Sequence, residues 1–522
     1  MQKLKNLLTD KLPVILLGLL IIQPPLDVLS YFADRYGLTS ITTLLRFGLL
    51  ALVVLLGFLL TERKRVYLIL GAAVAVFWLA HMLNCLRIGY VSPVEDAANL
   101  LRLMNFPLYV LTFVTALEGR PQLRRTFYLG AFIAFLEIIL FTALPWLLGR
   151  PVYTYGTLKL GVLGWFLIPS AQSAVIVLAA PLAIFAAYKS GKYPVYLLSV
   201  LLAVALMFIT GSKLDYFSIF IIGGAYIFLF LIQLGKKSPR YVLPLAALMV
   251  LSAVFRGHSP MAARDAMTAS SQGIYGSMIS SSLETSGADQ ATLNIIQSDN
   301  SRPSSERQLE KVRRAVLPIY SDTGVYGFRT QELNARFGMY NVMEAFDYTD
   351  SAEVLSNTRK IKLTYAKLVW REKDVLTHFL GFEYRDFILG GSIYDLENDF
   401  PSVLYNMGYL GCAVYFLFIA LFFFRVFRAL AGSVRNALKA EGQSGPPPLT
   451  WLRGLWAGLR QFLTLETGAV GICFLLALGA AQISGNVLRR PNVTIYFAVA
   501  AACLYSLTAP WQRPRRSGKK EV

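Results

Sequence analysis

Charge is scarce in this chain of 522 residues: 16% are Asp, Glu, Lys or Arg, against 55% that are hydrophobic. Soluble domains carry about 25% charged residues, so a water-facing globule of this size is excluded. Histidine is scarcer still. His81, His258 and His378 lie far apart without metal-ligand spacing, which argues against a zinc site. The cysteines Cys85, Cys412, Cys473 and Cys503 lie in or beside apolar runs. The one long polar segment has none, so neither a disulfide framework nor a cysteine-based metal site is expected there. Acidic residues are outnumbered 31 to 50, giving a net charge of +19. In so apolar a chain that excess reads as membrane topology, and no nucleic-acid partner is inferred from it.

What the chain has in abundance is long apolar runs, recurring from Leu12 to Leu507. They are continuous rather than alternating, so they predict membrane-crossing helices and not barrel strands. Spans are expected near 12–33, 41–60, 66–86, 97–117, 126–149, 169–188, 193–211, 216–234, 241–255, 402–424, 467–484 and 492–509. The first carries Pro24-Pro25 and reads as an uncleaved span broken in its middle. Arg102 and Pro107 interrupt the fourth. The expected fold is an all-α integral membrane protein of about twelve transmembrane helices.

Basic residues fix its orientation. Arg63-Lys64-Arg65, Arg120, Arg124-Arg125, Lys189, Lys192, Lys236-Lys237 and Arg240 fall on alternate connections, joined by Arg425, Arg428, Arg435, Lys439, Arg453 and Arg460. By the positive-inside rule both termini are then cytoplasmic, and the span count is even. The implied organisation is nine spans over 1–255, an extracytoplasmic loop or cap over 256–400, three spans over 401–510 and a cytoplasmic tail over 511–522. A basic cytoplasmic loop, 425–466, contains the linker Gly442–Pro448 and an amphipathic segment near Trp451–Phe462. Within the cap, 267–305 is rich in Ser, Thr, Gly and Asn and reads as a mobile loop. From Ser305 a folded, mainly helical region resting on the bundle is expected. Asp350 with Glu353 suggests a capping box, followed by Val354, Ile361, Tyr365, Leu368 and Val369 at helical spacing.

Charges at membrane depth are functional suspects, because they are costly there. Asp27, Arg46 and Arg102 qualify; Arg46 reads either as a phosphate contact or as the partner of Asp27. Lys213, in Thr210-Gly211-Ser212-Lys213, sits at the end of the seventh span, at the depth of a lipid-borne phosphate; its bland reading is an interfacial lysine. Arg359 places another cation on a cap helix, where an isolated arginine is usually solvated. Asp395, Glu397 and Asp399 cluster at the start of the tenth span, followed by Gly408 and Gly411. Acids there can supply a general base, or simply favour the positive end of a helix dipole. The glycines permit close helix packing.

This arrangement resembles the O-antigen ligase and polymerase family of membrane glycosyltransferases. Ser212-Lys213 matches the family's Ser-Arg pair at the outer end of a mid-chain helix, and Arg359 its loop arginine. Glu397-Asn398, with Gly408 and Gly411, keeps the spacing of its His-Asn, nine residues, Gly, two residues, Gly motif. Two positions depart. Lys213 keeps the charge but loses the bidentate fork of Arg, and Glu397 replaces the His, changing the pH range of any base. His378 is not at the motif position.

The resemblance implies a donor glycan on a polyprenyl pyrophosphate, a saccharide or other hydroxyl acceptor, and a multi-pass protein of the bacterial plasma membrane. Lys213 and Arg359, with Arg46 and Arg102, would face the pyrophosphate; Glu397, with Asp399 second, would be the base. Inverting transfer is expected, without cofactor and, since no divalent-metal motif is visible, without metal. Polymerase and ligase remain alternatives. A transporter or flippase of lipid-linked saccharides is a rival from another class; it would more often show internal repeats and matched broken helices.

Overall fold

The computed structural model describes residues 2–298, 303–441, 449–485 and 487–509. The linker 442–448 and the tail 511–522 lie outside the described residues. The chain is an all-α integral membrane protein. Among the described residues ten helices are long and apolar enough to cross a bilayer, and two shorter apolar helices, Pro239–Val254 and Pro491–Leu507, complete the series. Their 16 and 17 residues give rods of about 25 Å at ~1.5 Å per residue, a little short of a hydrocarbon core about 30 Å thick. The first span divides into Gln2–Ile21 and Gln23–Arg35, the break falling just before Pro24 and Pro25, which occupy the first turn of the second helix. By contrast Pro93–Leu117 runs uninterrupted through Arg102 and Pro107.

Two compact units organise these helices. The first comprises Met1–Ala72, Leu101–Ala262 and Val414–Val522. At its centre Pro169–Lys189 is buried along almost its whole length, lined by Ala174, Ala179, Ala180 and Ala183. Small side chains let neighbouring helices approach closely, as bilayer packing requires. Helix Pro491–Leu507 is likewise buried from Val493 to Leu504, so most of its short length meets protein rather than lipid. The helix Leu449–Phe462 exposes Trp451, Leu452 and Trp456, while a Cβ on Gly458 would lie 2.5 Å from the Cα of Val434.

The second unit comprises Ala73–Leu100 and Ala263–Ala413. Its core gathers Val312, Val316, Ile319 and Tyr320 from Glu306–Tyr320, Leu333 from Gly327–Phe337, and Tyr365 and Val369 from Thr358–Glu372. A two-stranded antiparallel hairpin, Ile388–Leu389 with Ser392–Ile393, is the only sheet among the described residues. Two local expectations are corrected. Most of 267–305 is helical, as Pro260–Thr285 and Gln290–Gln297, rather than a loop. Tyr275, Ile279 and Leu283 recur at four-residue spacing on the first of these and pack into the core. Nor is Asp350 a cap: Ser351 caps Ala352–Ser356, accepting the N–H of Val354.

Candidate functional site

In the second unit, Asn357 starts the helix Thr358–Glu372 by accepting the backbone N–H groups of Arg359 and Lys360 on its Oδ1. Arg359 and Lys362, three residues apart, therefore share one side of that helix. Both reach Glu397. Arg359 Nε donates to Oε2 at 2.8 Å and Lys362 Nζ to Oε1 at 3.3 Å. Burial alone would push the Glu397 carboxyl up, but the hydrogen bond from Arg359 and the charges of Lys362 and Arg359 outweigh it and hold the group below its ordinary 4.5. Glu397 is thus a carboxylate at neutral pH, and its side chain remains 34% exposed, open to a hydroxyl. Asp399 is placed differently. It is fully buried in the first turn of the helix Asp399–Glu441, where the helix dipole favours negative charge but a bulky acceptor has no access.

The two motif glycines do structural work. Gly408 interrupts its helix at φ 63°, ψ −171°, a conformation essentially restricted to glycine. A Cβ there would lie 2.4 Å from the carbonyl carbon and oxygen of Phe379. The same close approach is sealed by the N–H of Phe382 donating to Tyr405 O at 2.7 Å. At Gly411 a Cβ would lie 2.4 Å from that of Met407 and 3.3 Å from the ring of Phe77.

A buried polar network supports this region. His81 places Nδ1 2.9 Å from Leu380 O and Nε2 3.0 Å from Asp96 Oδ2, and Tyr90 donates to the same carboxylate oxygen at 2.7 Å. Asn84 donates to Thr377, and Asn99 to Asn406, one turn beyond Ser402. Arg87 pairs with Asp374, whose carboxyl is lowered to about 2 by hydrogen bonds from Thr377 and by Arg87. These contacts tie the segment 73–100 to the residues immediately flanking the glycine motif.

In the first unit, Ser212 caps the helix Lys213–Leu234. Its Oγ accepts the N–H of Asp215 at 3.0 Å and donates to the Asp215 carboxylate at 2.8 Å, which also receives Thr210 Oγ1 at 2.8 Å. Gly211, at φ 80°, makes the turn between the helices. Lys213, the first residue of the new helix, is exposed. A connecting loop is bound to the same place: Val162 N–H donates to Ile209 O at 3.0 Å, and Gly161, at φ 70°, lies so near Thr210 that a Cβ would be 2.3 Å from its carbonyl oxygen.

That loop continues into Phe166, Leu167 and Ile168, which wall a cavity of about 260 Å³. Arg46 and Arg102 line it together with Arg489, Arg490, Asp27 and Asn492. The Arg46–Asp27 pair weighed from the sequence exists: Nη2 donates to Oδ1 at 2.5 Å, with both side chains mostly buried. Asn492 Nδ2 donates to the other carboxylate oxygen at 3.0 Å. Lys213 is not among the lining residues.

A sequence profile described as O-antigen ligase like membrane protein matches residues 9–441, most of the chain. The chain belongs to this O-antigen ligase-like family. No curated protein matches it. Family membership makes it a multi-pass membrane protein with a transferase-type activity in membrane polysaccharide assembly. Of the residues singled out from the sequence of this O-antigen ligase-like protein, the structure brings Arg359 onto Glu397 and gathers Arg46 and Arg102 at one cavity. Three contributors were missed. Lys362 belongs to no motif, although its three-residue spacing from Arg359 was a usable signal. Arg489 and Arg490 read as charges of a short connection, yet Arg489 is 7% exposed.

Proposed function

We propose that the protein transfers a glycan from a polyprenyl pyrophosphate to an acceptor hydroxyl at the outer face of a bacterial plasma membrane, with both termini cytoplasmic. The observation that carries this reading is Glu397, held ionised and partly open by Arg359 and Lys362, in a chain of the O-antigen ligase-like family. The acceptor oxygen attacks the anomeric carbon and its proton passes to the Glu397 carboxylate. The bond from that carbon to the phosphate oxygen breaks opposite the attack, so configuration inverts and the pyrophosphate leaves with the electron pair. Its charge is met by side-chain cations rather than by a metal. Glu397 needs only modest basicity, because the hydroxyl acidifies as its bond to carbon forms. Asp399, buried in its helix turn, supports the start of that helix.

The test is purified protein in defined vesicles with a polyprenyl-pyrophosphate glycan, scored for extended or transferred product and separately for translocation. Glu397→Gln is expected to abolish transfer while leaving the protein folded and able to bind the lipid. Full activity of that variant would remove Glu397 from the base role; translocation without any transfer would favour the transporter reading.

A further inference from the structure

Two arginines on the short connections opposite the basic side of the membrane, Arg35 and Arg150, meet in one place. They line a second cavity of the first unit, about 450 Å³, within the ~300–1,000 Å³ of small-molecule sites. The lining comes from the end of helix Gln23–Arg35, from the stretch that follows Arg124–Leu147, and from Trp165. Tyr31 and Phe32 supply an aromatic wall, their ring centroids 5.3 Å apart, and Trp165 continues it 5.4 Å from Phe32. Leu148, Pro151 and Val152 add apolar surface. Two guanidinium groups and no carboxylate leave two net positive charges on the lining. The wall is firmly set. Gly164, at φ 79°, lies so near Thr142 that a Cβ would be 2.4 Å from its Cα, which fixes the backbone just ahead of Trp165. Arg35 is held as well, donating to the Tyr31 hydroxyl with its guanidinium 4.4 Å from the centre of that ring. Aromatic and arginine side chains also anchor helix ends at a bilayer surface, but anchors spread outward. These converge on a concave space, and Tyr31 is only 6% exposed. Under the charge-derived orientation this end of the helices is the outer one.

We infer that this cavity is a sugar subsite selective for acidic pyranoses, with Arg35 and Arg150 meeting the sugar carboxylate and Phe32 with Trp165 packing on its ring. The inference rests on the proposed glycan transfer for the origin of the ligand and narrows the class of glycan; the site itself follows from the cavity. One face of a pyranose presents C–H groups and is apolar, while its edge carries the polar groups. An aromatic wall beside hydrogen-bond donors suits that shape, and rigid rings offer large contact area at low entropic cost. Phe32 and Trp165 are half-buried and keep part of their surface open. Guanidinium forks match the two oxygens of a carboxylate in pairs, which ammonium groups do not. Arg35 is preorganised by Tyr31 and loses little freedom on binding. A neutral sugar would leave both arginines facing an otherwise aromatic and apolar lining without a counter-charge. The chain neighbours of Tyr31 and Trp165, Ser30 and Phe166, line the arginine cavity. An occupant of this subsite therefore lies beside that cavity, on the side of the membrane where a lipid-borne glycan is presented.

The test is a ligand-observed NMR titration of full-length protein in phosphatidylcholine nanodiscs. The probes are the methyl glycosides of glucuronic and galacturonic acid and their neutral parents, methyl glucoside and methyl galactoside. At least one uronide is expected to bind about ten- to hundredfold more tightly than its parent, the difference one charge-assisted contact makes. Arg150→Gln should erase that preference and leave the neutral glycosides unchanged; Arg150 is exposed, so folding is not at stake. Trp165→Leu should weaken acidic and neutral probes alike. Uronides that bind no better than their parents overturn the site, as does a preference that survives both Arg150→Gln and Arg35→Gln. Stronger binding of glucose phosphate than of either uronide overturns the carboxylate assignment. Displacement of the uronides by phosphatidylglycerol added to the disc overturns the sugar assignment in favour of a lipid head group. Arginine-dependent uronide binding in a protein that transfers no glycan would sink the transfer reading and leave this one standing, whereas transfer without any uronide preference would do the reverse.

Discussion

Replacing Gly408 by Ala tests whether the glycine motif is a matter of backbone geometry. At φ 63°, ψ −171° an alanine is strained by about 1–3 kcal/mol. Its Cβ would also come 2.4 Å from the Phe379 carbonyl, and relieving such a clash in packed surroundings costs about 1–3 kcal/mol. Alanine recovers ~0.4–1 kcal/mol through the unfolded chain, so the net loss is about 1–5.5 kcal/mol. The damage should be local first. The N–H of Phe382, bonded to Tyr405 O, should lose hydrogen-exchange protection before the rest of the unit. Gly432 lies in the same helix with open space where a methyl group would go; Gly432→Ala is the control and should stabilise by about 0.5–1 kcal/mol. Thermal melting in detergent with exchange at 379–382 and 405–408 reads both. A Gly408→Ala protein that melts with the wild type and keeps Phe382 protected would refute the reasoning.

Other outcomes follow from the same contacts. Because the Glu397 carboxyl is held below 4.5, its pairing stabilises the fold fully above that pH and fades as pH falls through the native value; transfer should show an acid limb below ~4.5. Removing a cation by Arg359→Gln or Lys362→Met should move that limb to higher pH, and an unmoved pH–rate profile would separate Glu397 from the reaction. His81→Ala strips the buried Asp96 carboxylate of its imidazole partner while leaving the Tyr90 hydroxyl in place, and should cost roughly 3 kcal/mol or more. Adding Asp96→Asn should restore part of that loss in a melting assay, whereas strictly additive losses would show that the two side chains do not act as a pair.

The fold was legible because lipid leaves the chain so few options: apolar runs of sufficient length must become helices. Arg46 and Arg102 stood out in the sequence for the same reason, since a charge inside such a run is conspicuous. Arg489 and Arg490 did not, because a connection of a few residues is where arginine ordinarily belongs; only the fold shows that this connection turns back onto a cavity. Helix Pro260–Thr285 was hidden by its serines, which mask a stripe of just Tyr275, Ile279 and Leu283. Glu397 was legible through motif spacing, yet its pairing with Lys362 spans 35 residues and depends on tertiary placement that no local pattern encodes.

The loop that leaves Gly161 and arrives at Ile168 acts as a splint. One end is fastened to Ile209 and Thr210, just ahead of Ser212-Lys213; the other is the apolar wall of the arginine cavity. Between those ends it is pinned as well, by the N–H of Leu163 on Val152 O and that of Trp165 on Phe141 O, so one anchored length of backbone borders both the opening of the Lys213 helix and the cavity. A side chain forced in at Gly161, against the Thr210 carbonyl, would strain the loop that walls a cavity to which Gly161 contributes no atom.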